Sequence, residues 1–116
     1  MKPVSPFHEA KEDYLAIELD RDRVADFCRR WKVRELALFG SVLTPAEFRP
    51  DSDVDFLATF APENGWSLFD HARMEEELSA IVGRKVDVVT RPSVERSHNW
   101  IRRQNILESA RNIYVS

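Results

Sequence analysis

Hydrophobic and polar positions are grouped in blocks along this chain, and the blocks predict a mixed sheet flanked by helices. Two apolar runs of strand length lie at Val33–Phe39 and Val54–Phe60, and a valine-rich run at Lys85–Thr90 predicts a third strand. The stretches around these runs carry apolar residues at helical spacing. We therefore expect an α/β (α+β) fold with a small mixed β-sheet of three to four strands.

Three segments carry sequence signals that are typical of helices. Asp20 can cap a helix that ends near Trp31, and Ser67 can cap a second helix that runs to about Val82 and stops at Gly83. A third helix, in one or two pieces, is predicted from Ser93 to Ala110. Each helix has an apolar side. It consists of Val24, Phe27, Cys28 and Trp31 in the first helix and of Leu68, Met74, Leu78, Ile81 and Val82 in the second, and the positions expected to be buried in the third are Trp100, Ile101, Ile106, Leu107 and Ala110. Cys28 is expected to be a buried structural thiol. The tail Ile113–Val115 is β-prone and predicts an edge strand.

Length and composition favour one domain. The chain has 116 residues, of which 43% are hydrophobic. We expect a partly ordered lead-in at residues 1–18, where Pro3 and Pro6 keep the backbone extended, and a single domain at residues 19–116. One cysteine excludes an intramolecular disulfide, and no apolar run reaches the roughly 20 residues of a membrane helix. A secretory signal core is also missing, so a soluble cytoplasmic protein is expected.

Two aspartates at alternate positions mark the start of the second strand. Asp53 and Asp55 would share one face of that strand, roughly 6–7 Å apart along it. Carboxylates this close repel each other and favour a bound cation. Oxygen ligands suit Mg²⁺, which takes one or two carboxylates plus phosphate oxygens. The alternative is a solvated strand start with no ligand.

The first strand ends at Gly40-Ser41, a pair suited to a phosphate. A residue without Cβ lets a phosphate approach the backbone, and a helical turn starting at Ser41 would present free N–H groups to it. The alternative is a tight turn with no further role.

Charge is distributed unevenly along the chain. The formal net charge of −3 argues against strong nucleic-acid binding. Residues 84–116 nevertheless contain seven Lys or Arg residues and three acids. A basic C-terminal quarter beside carboxylates suits a triphosphate or an acidic protein partner, and the pattern does not separate the two.

These motifs together resemble a known family. The segments LFGSVL (residues 38–43) and FRPDSDVDFL (residues 48–57) resemble the nucleotidyltransferases related to DNA polymerase beta, and more narrowly the minimal nucleotidyltransferases. The resemblance covers about residues 33–115. One departure lies in Thr44-Pro45-Ala46, where the family usually has an Arg or Gly and a loop one residue shorter. Arg49 could replace the missing arginine.

The resemblance implies a site and a reaction. Asp53, Asp55 and Asp87 would be the catalytic carboxylates and the ligands of one or two Mg²⁺ ions, and Gly40 and Ser41 would bind the nucleotide. The substrate would be ATP, and AMP would pass to a hydroxyl of a partner protein. That partner would be a HEPN-type toxin, for which this chain would be the antitoxin.

The sequence is also compatible with other functions. Asp87 could instead face water on an edge strand. The chain could be a binding module that neutralises a partner by contact, or a nucleotidyltransferase for a small molecule. The sequence indicates neither the nucleobase, the acceptor, the oligomeric state nor the role of residues 1–18.

Overall fold

The computed structural model describes residues 15–62 and 65–116. In these ranges the elements are, in order, α1 (Arg21–Arg30), β1 (Val33–Phe39), a 3₁₀ turn (Gly40–Leu43), β2 (Val54–Phe60), α2 (Leu68–Val82), β3 (Val86–Thr90), α3 (Arg91–Glu95), α4 (Trp100–Ser109) and β4 (Arg111–Val115). The first two strands begin and end at the residues that the sequence predicts. The predicted boundary at residue 18 stays a prediction, and residues 1–14 of the expected lead-in lie outside the described residues.

The strands form one mixed sheet in the order β3-β2-β1-β4. β1 is antiparallel to both β2 and β4, whereas β2 and β3 are parallel. The predicted α/β class with a small mixed sheet is therefore confirmed, and β4 is the edge strand expected from the β-prone tail. The parallel pair needs a crossover connection, and α2 provides it.

Each face of the sheet carries its own apolar cluster. The larger cluster joins α1 and α2 to the sheet through fully buried side chains that include Phe27, Leu36, Phe56 and Leu78. The smaller cluster joins α3 and α4 to the opposite face, and its buried members are Ala37, Phe39, Leu57, Val94 and Ile106. The sheet is thus covered by helices on both sides, which explains its continuous apolar runs.

The predicted helix caps are present. The Asp20 carboxylate accepts a hydrogen bond from the N–H of Arg23, and Ser67 forms a capping box with Asp70 at the start of α2. Gly83 ends α2 in the left-handed conformation, with φ of 73°. The predicted third helix occurs as two pieces, α3 and α4. None of the helices in the described ranges combines the length and apolar character needed to span a membrane.

The burial predictions for Trp100 and Ile101 are wrong, and Leu68 is exposed although it lies on the predicted apolar side of its helix. Leu68 is 88% exposed, Trp100 60% and Ile101 56%. Each lies in the first turn of its helix, whereas the apolar contacts with the sheet are made further along, by Met74 in α2 and Ile106 in α4. Helical spacing predicts which residues share a face of the helix, but not how much of that face the sheet covers.

The single cysteine is structural, as predicted. Cys28 is fully buried in the larger cluster. Burial raises the pKa of its thiol to about 12. Because the thiolate is the reactive form, such a thiol is a poor nucleophile.

Candidate active site

Sheet topology brings three separate segments together at one edge of the sheet, the edge that is formed by strand ends and not by an edge strand. β2 and β3 are parallel and start at the same edge, and β1 runs in the opposite direction and ends there. Asp55 pairs with Phe39 on one side and with Asp87 on the other. Gly40 directly follows Phe39. The residues that the sequence singled out therefore meet at this edge.

The aspartates of this edge point to the face that α3 and α4 cover. Side chains alternate along a strand, so Asp53 and Asp55 share the face of Leu57. For the same reason Asp87 shares the face of Val89. Leu57 and Val89 both belong to the smaller cluster under α3 and α4. The predicted convergence of Asp87 on the strand-start aspartates is thus seen for the backbone positions.

Asp55 is the most perturbed of these carboxyl groups. Burial and, to a smaller extent, the nearby charges of Asp87 and Asp53 raise its pKa from the ordinary 3.8 to about 6, and Arg102 opposes this shift. Desolvation and like charges both disfavour an anion, which is the situation that a bound cation relieves. Such perturbation is typical of functional sites.

Gly40 lies directly against the Asp55 carboxylate. A Cβ placed on Gly40 would be 2.6 Å from Oδ2 of Asp55, and Gly40 has φ of +82°. Residues with a side chain rarely adopt this conformation, and a Cβ here would force the Asp55 carboxylate to move. The backbone therefore favours glycine, and glycine leaves the carboxylate in its present position. The roles predicted for Gly40 and Ser41 in binding the nucleotide stay predictions.

The donor set fits a cation that the substrate helps to bind. Asp87 is exposed, whereas Asp53 and Asp55 are half-buried. Within residues 15–62 and 65–116, no three acidic, histidine or cysteine side chains form a group that could hold a metal ion alone. Mg²⁺ usually takes one or two carboxylates and completes its shell with water and phosphate oxygens. The carboxylates are therefore suited to a metal that arrives with a phosphate, and less suited to a permanently bound ion.

The loop before β2 is held by a residue that sequence reasoning missed. Nη1 of Arg84 donates hydrogen bonds to the carbonyl oxygens of Arg49 and Pro50, at 3.0 and 2.9 Å, and makes a 3.4 Å contact with that of Ser52. Its guanidinium also lies 4.4 Å from the ring centre of Phe48. Because these partners are more than 30 residues away, no local pattern could identify Arg84. It fixes the backbone that leads directly into Asp53.

The chain is similar in sequence to known nucleotidyltransferases. The chain matches the nucleotidyltransferase domain family over residues 22–113. It is 35% identical over 86 residues to the protein MJ1379 of Methanocaldococcus jannaschii, covering 74% of this chain and 80% of that protein. It is 41% identical over 66 residues to the protein adenylyltransferase MntA of Thermococcus cleftensis, covering 57% of this chain and 64% of that protein.

A solved structure shares the fold. A toxin–antitoxin crystal structure with AMP-PNP superimposes with a TM-score of 0.62 at 17% identity, over 84% of this chain and 75% of that one. The family match over residues 22–113 shows that this chain belongs to the nucleotidyltransferase domain family, whose members similar to it include the protein adenylyltransferase MntA described above.

Proposed function

We propose that this chain transfers AMP from ATP to a hydroxyl of a HEPN-type partner protein, in a reaction that depends on Mg²⁺, and so acts as the antitoxin of a toxin–antitoxin pair. The observation that carries the proposal is the placement of Asp55 opposite Asp87, with Gly40 against the Asp55 carboxylate. This arrangement gathers anionic oxygen ligands at one accessible edge of the sheet. The named activity of the Thermococcus relative supports the adenylyl group.

The proposed partner rests on relatives of the same fold. One such structure is a tri-AMPylated HEPN toxin from Shewanella oneidensis in complex with its minimal-nucleotidyltransferase antitoxin, with a TM-score of 0.56 at 17% identity. That identity supports the fold of this chain, so the acceptor is an inference by resemblance.

Each residue has a definite task in the proposed reaction. Asp53 and Asp55 would hold Mg²⁺ together with the phosphates, and Asp87 would share a second ion. Bound there, the metal would supply positive charge for the phosphates and the leaving group. Gly40 and Ser41 bind the β- and γ-phosphates. Asp87 accepts the proton of the acceptor hydroxyl as its oxygen bonds to the α-phosphorus, and the bond from that phosphorus to the β-phosphate oxygen breaks, releasing pyrophosphate.

A labelling experiment tests this function. The chain is incubated with Mg²⁺, a purified HEPN-type partner encoded beside it, and ATP labelled at either the α- or the γ-phosphate. We expect label on the partner from the α-position alone, since a kinase would transfer the γ-label. Asp55→Asn should reduce the transfer about 100-fold or more, as for loss of a group that stabilises transition-state charge. Asp51→Asn removes the same charge from an exposed position in the preceding turn and is the matched control.

The same experiment separates the alternatives. Partner binding without label, unchanged by Asp55→Asn, would replace the enzyme proposal with neutralisation by contact. Label that appears on a small hydroxyl compound, and not on the partner, would indicate a small-molecule nucleotidyltransferase.

A further inference from the structure

The connection from β3 to β4 crosses the face of the sheet to which the aspartates point. β3 and β4 are the two edge strands, so the chain between them, which contains α3 and α4, must pass over β2 and β1. α3 contacts β2 and β3, and α4 follows α3 after a short turn and leads into β4, so the first turn of α4 lies nearer to β2 and β3 than its last turn does. The face that α4 covers is also the one to which Asp55 and Asp87 point.

Within that first turn, Arg102 is on the side of α4 that faces the sheet. It precedes Ile106 by four residues, and positions four apart lie above one another on a helix. Ile106 is buried in the cluster that contains Phe39, the strand neighbour of Asp55. Burial is the main cause of the raised pKa of Asp55. Among the charged groups that affect this pKa, Arg102 alone lowers it. This effect on the pKa agrees with the position of Arg102, one helical turn from Ile106 and its cluster.

Other arginines in the basic C-terminal quarter have structural partners. Arg84 binds the loop carbonyls, Nε of Arg91 donates to the Thr59 hydroxyl, and Nη1 of Arg103 donates to the Ser97 carbonyl. Arg102 differs from its neighbour Arg103. Its guanidinium makes no hydrogen bond or ion pair within the described part of the chain, although its backbone N–H donates to the Asn99 side chain. It is also exposed.

We infer that Arg102 is a substrate-binding residue of this site and that its guanidinium binds the triphosphate of the nucleotide. This role rests on the proposed function. Arginine presents a planar fork of N–H donors that matches phosphate oxygens, and it stays charged at any working pH. A cation held by its helix above anionic metal ligands, with its own donors unused, can bind a phosphate without first breaking an internal bond. The triphosphate would then be held between the metal-binding strand starts and α4.

Binding measurements on three variants test this role. The probes are Mg·ATP and, to remove the nucleobase, inorganic tripolyphosphate with Mg²⁺, each measured by equilibrium dialysis or calorimetry. We expect Arg102→Ala to weaken both by about 10- to 100-fold, the range for hydrogen bonds to charged groups. Arg102→Lys, which keeps the charge and loses the fork, should fall between wild type and Arg102→Ala. Arg96→Ala removes an equal charge from the exposed end of α3 and should change the affinity less than threefold.

Folding does not confound the test. Because Arg102 is exposed and makes no internal side-chain hydrogen bond in the described ranges, Arg102→Ala should change the melting temperature of the free chain by less than about 3 °C. Equal affinities in wild type and Arg102→Ala would overturn this role and leave the proposed function intact. Equal losses in the Arg102 and Arg96 variants would reduce the effect to net charge and would also overturn it. A wild-type chain that binds neither probe would overturn the proposed function, and this role with it.

Discussion

Replacing Asp55 with asparagine should stabilise the metal-free protein at neutral pH. The Asp55 carboxylate is half-buried beside Asp87 and Asp53, and its pKa of about 6 shows that the folded state disfavours its charge. Asparagine has nearly the same shape without the charge. It therefore removes the desolvation and the repulsion while keeping the contact with Gly40. A mutation in a proposed active site would then increase stability, as expected where function requires strain.

The size of the effect follows from the pKa. The difference between 3.8 and about 6 would correspond to about 3 kcal/mol for a group fully shielded from water. Asp55 is only half-buried, so solvent screening reduces the expected gain to about 1 kcal/mol. For a domain of this size, that gain raises the melting temperature by about 4 °C.

The gain must depend on pH in a definite direction. The folded state keeps a proton on Asp55 between about pH 4 and pH 6, where the unfolded chain has lost it. The free energy of unfolding of the wild type therefore falls as the pH rises through this window. Above the window, Asp55 causes no further change. Asparagine does not titrate. The advantage of Asp55→Asn should accordingly be complete at pH 7.5 and mostly absent at pH 4.

Thermal unfolding in buffers containing EDTA, at pH 4 and at pH 7.5, measures this difference. Asp51→Asn is the control, because it makes the same substitution at an exposed residue of the neighbouring turn. Adding Mg·ATP should reverse the order, since ligand binding stabilises the wild type and not the variant; at 100 times the dissociation constant the gain is about 2.7 kcal/mol. An Asp55→Asn protein that is less stable at pH 7.5, or equally stabilised at both pH values, would refute this electrostatic account.

Three further substitutions test the packing around the site. Gly40→Ala should lower the free energy of unfolding, measured by chemical denaturation, by about 2 kcal/mol more than Gly65→Ala does. Both glycines have positive φ, but nothing lies within 4 Å of a Cβ at Gly65. Equal losses would contradict the contact between Gly40 and the carboxylate. Arg84→Met should cost about 2 kcal/mol and raise the Mg²⁺ concentration needed for half-maximal transfer, whereas an unchanged requirement would separate this residue from the site. Leu78→Ala should cost about 2–5 kcal/mol and the exposed Leu68→Ala less than about 0.5, as measured by urea unfolding.

The sequence was most informative where local rules decide the structure. The strands Val33–Phe39 and Val54–Phe60 are long apolar runs with clear ends, and the caps at Asp20, Ser67 and Gly83 rely on contacts within a few residues. Paired aspartates at a strand start are also a local signal. Each of these features could be predicted because its cause lies beside it in the chain.

Features that depend on distant contacts could not be predicted in this way. Trp100 is predicted to be buried, but it lies on a side of α4 that the rest of the described chain leaves 60% exposed. Gly40 was noted as a site for phosphate approach, whereas its contact with the Asp55 carboxylate follows from the pairing of Phe39 with Asp55. Arg84 and Arg102 act across the fold and carry no local signature.

The departure from the family at Thr44-Pro45-Ala46 can now be placed in the fold. This segment lies after the 3₁₀ turn and before the carbonyl groups that Arg84 holds, so both of its ends are fixed independently of its length. The position of Asp55 is set by strand pairing on both sides, to Phe39 and to Asp87. An extra loop residue costs only a few tenths of a kcal/mol in closure entropy. Strand pairing therefore sets the backbone position of Asp55 independently of the altered loop, and we expect the loop to affect the proposed reaction only through contacts of its own with the substrate.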